Sequence, residues 1–266
     1  MGDAKSGPFR LSFNPQLRVE FQGATVTSDA GLLLPRELDE RLGLSALIER
    51  HLTDPRTGRN LQFSLPDLFR QSIYGRLAGY EDTNDAERLA EDPTFRMLAS
   101  RERRKTSVAL TSTLHWFETE VLADDGYSQG LSRLNTDLVQ HDAALPPTRR
   151  VTLDIDSSES PVHGAQEQSA YNGHFESVCY HPLFVFNHDG DCLAAKLRPG
   201  NVHSAEGWDE VLLPVIDQSQ TRGQTVAVRG DAAFAIPALY AALEWRGVAY
   251  AIRLPANDVL ERAIED

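Results

Sequence analysis

The stretch from Arg150 to Glu159, Arg-Val-Thr-Leu-Asp-Ile-Asp-Ser-Ser-Glu, constrains this chain more than any other. Val151, Leu153 and Ile155 alternate with Thr152, Asp154 and Asp156, the period of a strand with one buried face. Burying the apolar set turns both carboxylates to the opposite side, two residues apart. Like charges at that spacing are costly unless a cation or water lies between them. A second acidic strand end comes later, in Thr225 to Asp231, Thr-Val-Ala-Val-Arg-Gly-Asp. If Asp156 and Asp231 end neighbouring strands, they form a hard, all-oxygen site suited to Mg²⁺ or Mn²⁺. Asp154 shares the face of Asp156 but lies deeper. It can assist the metal or hydrogen-bond within the sheet, and Asp156 is the preferred ligand.

The rest of the chain divides around this stretch. Residues 1–27 read as a polar arm broken by Pro8 and Pro15, with a short alternating strand at Leu17 to Gln22. Residues 28–148 read as helical. Ser28-Asp29 can cap a first helix, and Ser64 with Pro66 in the following turn opens another. Further helices are expected at Asp85 to Ala90, Pro93 to Leu98 and Thr111 to Leu122. Pro146-Pro147 marks the best boundary. Residues 149–266 then switch to strands, at Arg150 to Asp156, Val178 to Asn187, Cys192 to Leu197, Thr225 to Arg229 and Val248 to Leu254. Helices are expected at Ala205 to Asp217, interrupted by Pro214, and at Ile236 to Trp245. The order β, β, β, α, β, α, β is that of the ribonuclease H-like fold, an α/β mixed sheet with flanking helices. In that fold a carboxylate on the first strand meets another at the end of the fourth, where Asp156 and Asp231 fall.

Composition narrows the function classes. Hydrophobic residues make up 41% and charged residues 24%, enough for a packed core. No apolar run approaches a membrane span and the start has no apolar signal core, so a cytoplasmic protein is expected. The formal net charge of −13 argues against a general nucleic-acid binder, whose affinity comes from cations on phosphates. A nucleic-acid enzyme with a local basic path stays open. Arg101, Arg103, Arg104 and Lys105 form the densest basic run, readable either as a solvated loop or as a phosphate contact.

Other polar positions have competing readings. Asp156-Ser157-Ser158 can be turn chemistry, and Asp231 can cap the next helix, which does not prevent it from binding metal. His163 and Glu167 lie in the loop after the first strand, where a structural or DNA-contacting role is favoured over metal ligation. His181 and His203 read as structural histidines, and Arg198 as a candidate phosphate contact. Cys179 and Cys192 read as reduced core thiols rather than a cross-hairpin pair. No phosphate-binding glycine loop, nucleophile elbow or paired zinc spacing is present in the sequence.

Several stretches together resemble bacterial insertion-sequence transposases of the DDE type. They are Leu153-Asp154-Ile155-Asp156-Ser157-Ser158, Gly164-x-Gln166-Glu167, Tyr180-His181-Pro182-Leu183, Arg198-Pro199-Gly200-Asn201-Val202-His203 and Arg229-Gly230-Asp231. Thr27-Ser28-Asp29-Ala30-Gly31 and the helix around Leu114 to Glu118 extend the resemblance over nearly the whole chain. It implies a ribonuclease H-like catalytic domain behind a helical, DNA-binding N-terminal region. It also implies Mg²⁺-dependent cleavage at terminal inverted repeats and strand transfer into target DNA, with Asp156 and Asp231 as the first two acidic residues. Such transposases usually act as dimers on DNA. The third acidic residue of the family is a glutamate on a helix after the fifth strand. Glu244 precedes that strand, and the surroundings of Glu261 and Glu265 do not match the family's motif. The expectation is therefore a truncated transposase or one half of a split reading frame, with weak metal binding and little turnover. The alternatives are a non-catalytic remnant that binds DNA or a full-length transposase, and a metal-dependent nuclease unrelated to transposition.

Overall fold

A computed structural model describes residues 9–19, 29–57, 61–80, 82–100, 106–141, 150–255 and 262. The chain forms two compact units, Met1–Asp142 and Ala143–Asp266.

In the first unit, strands β1 (Phe9–Leu11) and β2 (Asn14–Val19) make an antiparallel hairpin. The expected strand at Leu17 to Gln22 overlaps the end of β2, and residues 20–22 lie outside the described set. Seven helices follow among the described residues: α1 (Leu33–Leu42), α2 (Leu44–His51), α3 (Leu65–Leu77), α4 (Ala86–Leu89), α5 (Pro93–Ala99), α6 (Thr111–Trp116) and α7 (Asp125–His141). Local chemistry sets several ends. Gly43, with φ of 67°, breaks α1 from α2, a conformation that strains a side-chain-bearing residue. Ser64 caps α3 in a reciprocal capping box with Asp67. Asp92 accepts from the amides of Thr94 and Phe95 at the start of α5, with Pro93 in the first turn. After Trp116 the helix continues as a π-helical stretch, Phe117–Leu122, with Phe117 and Val121 buried.

A charged network joins α1 to α3. The Arg70 guanidinium donates to both oxygens of Asp39, Nε at 2.7 Å and Nη2 at 2.7 Å, and Tyr74 Oη donates to Asp39 at 2.9 Å. Arg36 Nε donates to the Leu98 carbonyl at 2.9 Å, and Arg70 Nη1 to that of Ala99 at 3.4 Å. All four side chains are buried. Burial and the carboxylate beside it push the Tyr74 phenol far above its ordinary value, so it stays a hydrogen-bond donor.

The second unit contains β3 (Arg150–Ser157), β4 (Ser160–Pro161), β5 (Ala170–Asn172), β6 (Ser177–Tyr180), β7 (Leu183–Asn187), β8 (Cys192–Lys196), α8 (Trp208–Thr221), β9 (Thr225–Gly230), α9 (Pro237–Trp245) and β10 (Ala249–Ile252). Five strands form one mixed sheet in the order β10-β9-β3-β7-β8. The β3–β9 and β9–β10 pairs are parallel, and the β3–β7 and β7–β8 pairs antiparallel. A central first strand, an antiparallel second and crossovers to the fourth and fifth are consistent with a ribonuclease H-like fold. The core comes from one sheet face: Leu153, Ile155, Leu183, Val185, Val226 and Val228 pack under Leu212 and Ile216 of α8 and Leu239 and Leu243 of α9.

Two expectations need correction. The segment expected as one strand, Val178 to Asn187, is two strands in different sheets. His181-Pro182 separates them, because Pro182 has no amide to donate to a ladder. β6 joins a separate sheet, ordered β4-β6-β5, inserted between β3 and β7. The expected interruption at Pro214 is absent, since α8 runs through it. A mid-helix proline costs about 3 kcal/mol. Burying Val211, Leu212, Val215 and Ile216, at about 1.5–3 kcal/mol each, outweighs it.

Candidate active site

The alternation of β3 has its expected effect. Val151, Leu153 and Ile155 are buried, and Asp156 is exposed. Pairing with β9 then sets the partner. Ile155 lies opposite Gly230, so Asp156 and Asp231 leave the carboxyl ends of two adjacent parallel strands, which in a sheet lie about 4.8 Å apart. This is the end at which open α/β sheets place ligands. Gly230 permits the close fit, since a Cβ there would come within 3.3 Å of Ile155 Cγ2 and 3.4 Å of Phe234 Cβ.

Each aspartate is oriented through one oxygen. Asp156 Oδ1 accepts from the Ser157 amide at 2.8 Å. Asp231 Oδ1 accepts from the Ala233 amide at 2.9 Å, capping the short turn Ala232–Phe234. Among the described residues neither Oδ2 accepts a hydrogen bond. Capping and ligand binding therefore coexist at Asp231, one oxygen for each. Two exposed carboxylates with an unused oxygen apiece suit Mg²⁺, which keeps several waters and binds through one or two carboxylates plus substrate phosphates. Among the described residues no group of three His, Cys, Asp or Glu side chains is placed to hold a metal. Glu244 instead accepts from Tyr250 Oη at 2.9 Å, and Glu261 and Glu265 lie outside the described residues.

Asp154 is engaged elsewhere. Arg229, opposite it on β9, donates Nε and Nη2 to its two oxygens at 2.6 Å each. The hydrogen bonds and charge of Asp154 raise the Arg229 pKa. Arg198 is 4% exposed and spends its donors on main-chain carbonyls: Nε to His181 at 2.8 Å, and Nη1 to Ser204 at 3.0 Å and Glu206 at 2.5 Å. The buried Nη2 has no hydrogen-bond partner. His181 is also buried, its Nδ1 lying 3.2 Å from the Val202 carbonyl. Burial lowers its pKa, disfavouring the charged ring. His163 and Glu167 are exposed in the insert. Neither Cys179 nor Cys192 is in a disulfide. Arg101, Arg103, Arg104 and Lys105 lie outside the described residues.

One joint escaped sequence reasoning. Asn172 Nδ2 donates to the Gly200 carbonyl at 2.6 Å, and Tyr180 bridges Pro199. A Cβ at Gly200 would press on the carbonyl oxygens of Ala170 and Cys179. The Tyr180–Leu183 and Arg198–His203 stretches are thus two sides of one joint that holds the inserted sheet. The Pro199-Gly200 pair was the available signal, but it gave no partner.

A mixed sheet in this order, with two exposed carboxylates at adjacent strand ends, is consistent with a ribonuclease H-like fold of the DDE type. The family profile described as Transposase DDE domain group 1 matches residues 9–266, and the chain belongs to this family of DDE transposases. The match spans both compact units. No curated protein matches the chain. Among the described residues no helix is long and apolar enough to cross a membrane.

Proposed function

We propose that the Asp156–Asp231 edge binds divalent metal and DNA for insertion-sequence transposition. The reaction is phosphodiester cleavage at terminal inverted repeats, followed by strand transfer into target DNA. The observation that carries this reading is the parallel β3–β9 register, which brings the two aspartates to the same sheet end. Asp156 and Asp231 would hold Mg²⁺ or Mn²⁺ there, which would supply Lewis-acid stabilisation of the charge that develops on the phosphate oxygens. The Ser157 and Ala233 amides hold one oxygen of each carboxylate, so the other faces outward without reorganisation. Residues 149–266 serve as the catalytic region. Residues 28–148 serve in DNA binding through Arg101, Arg103, Arg104 and Lys105, in a cytoplasmic protein acting as a dimer or with a full-length transposase. The bidentate pairing of Asp154 and the carbonyl-bound burial of Arg198 favour structural roles for both over metal or phosphate binding.

Calorimetric titration of the full chain with Mn²⁺, alongside cleavage of terminal-repeat DNA, tests the reading. Loss of both signals in Asp156→Asn supports it. Terminal-repeat binding that survives EDTA without cleavage supports the non-catalytic remnant. Cutting with no preference for element ends and no joining supports an unrelated nuclease.

A further inference from the structure

The active edge has a charge problem. From Val151 to Ala195 the sequence contains no lysine or arginine, while seven aspartates and glutamates fall in that span. A polyanionic duplex is repelled by such a surface unless cations stand close to it. The cations of the second unit are therefore informative, and most are already occupied. Lys196 pairs with Glu210, Arg246 with Asp217 and Arg229 with Asp154. Arg198 is buried. Arg222 and Arg262 each take part in an interaction. Arg150 is exposed at the amino end of β3, the far end from Asp156.

Arg253 differs from all of these. On β10, Ile252 lies opposite Gly230 of β9, and the Arg253 amide extends the ladder by donating to the Gly230 carbonyl at 3.1 Å. The next positions along three adjacent parallel strands are Asp156, Asp231 and Arg253. Arg253 is exposed, and among the described residues its side chain makes no ion pair or hydrogen bond, with Asp231 or any other group.

We propose that Arg253 is the phosphate-binding residue of the active edge, contacting the DNA backbone beside the Asp156–Asp231 pair. The inference rests on the proposed function and assigns it a DNA contact. A guanidinium suits the role, because it stays charged and offers forked donors to a phosphate while the aspartates keep theirs for the metal.

The test is fluorescence anisotropy of the full chain on a short duplex, over a salt series with Ca²⁺ present. Arg253→Gln is expected to weaken binding at least about fivefold and to lower the slope of log affinity against log salt by about one. Arg253→Lys keeps the slope, and Arg150→Gln, at the opposite sheet end, changes neither quantity. Unchanged affinity and slope in Arg253→Gln overturn the inference, as does an equal effect from Arg150→Gln. A Mn²⁺ titration of the same proteins separates the two ideas. Arg253→Gln leaves Mn²⁺ binding intact whether or not the inference holds, whereas failure of the unaltered chain to bind Mn²⁺ counts against the functional reading alone.

Discussion

Asp39 in the helical unit and Asp156 in the sheet unit are the same chemical group used in opposite ways. Asp39 is 5% exposed, and its two oxygens accept from Arg70 and Tyr74, with Arg36 at 3.5 Å. Asp156 is exposed and has one oriented oxygen and one unused. The first carboxylate is consumed by the fold, because a buried charge must be satisfied. The second is only held in place. A candidate ligand is recognised by the coordination its setting leaves over, not by its residue type. Asp154 makes the same point two residues away, since Arg229 occupies both of its oxygens.

The contrast can be broken most severely at Asp39. Asp39→Ala leaves Arg70 buried without its carboxylate, while Arg36 keeps Glu40 at 2.9 Å, at a cost of about 3–5 kcal/mol. Native-state hydrogen exchange should show the amides of α1 and α3 losing protection together. Retained protection there would mean that the network is not structural. Gly200→Ala comes next. The added methyl meets two carbonyl oxygens, and overpacking of this kind costs about 1–3 kcal/mol. Exchange should speed up in β5 and β6 and leave α3 unchanged.

A smaller effect concerns pH. Glu118 loses some affinity for its charge through burial, but hydrogen bonds from Arg76 and Ser72 outweigh this and its pKa is lowered. A depressed folded pKa contributes stability above the unfolded value, about 4.3, and that stability is lost as pH falls through the folded pKa. Glu118→Gln should therefore flatten the acid limb of a urea-midpoint profile and leave its shape near pH 7 unchanged. An unchanged acid limb would remove Glu118 from the account. Asp156→Asn should be the mildest, moving stability by less than about 0.5 kcal/mol, since the side chain is exposed. A large loss in this variant would erase its contrast with Asp39.

Much of the site was legible in the sequence because it depends on local rules. The alternation of Val151 to Asp156 identified the face of β3, and Gly230-Asp231 identified a strand end with an outward acid. Ser64 marked the helix start of α3 in the same way. Non-local pairing was not legible. Val178 to Asn187 has strand composition throughout, yet its halves belong to different sheets, since alternation names a face but not a neighbour. Arg198 reads as a phosphate contact from composition and becomes a carbonyl clamp only when the 203–206 segment folds around it.

By itself the sequence determined which residues face outward: backbone period, proline and glycine act over a few residues and need no partner. It therefore placed Asp154 and Asp156 on the outward face of β3 and Asp231 at an exposed strand end. Only the tertiary structure decided which of the three keep an unused oxygen. That depends on the β3–β9 register, which sets Arg229 against Asp154 and leaves Asp156 beside Asp231 and, one strand further, Arg253. Strand register is a property of two distant segments packed under one core, and no stretch of either segment encodes it alone.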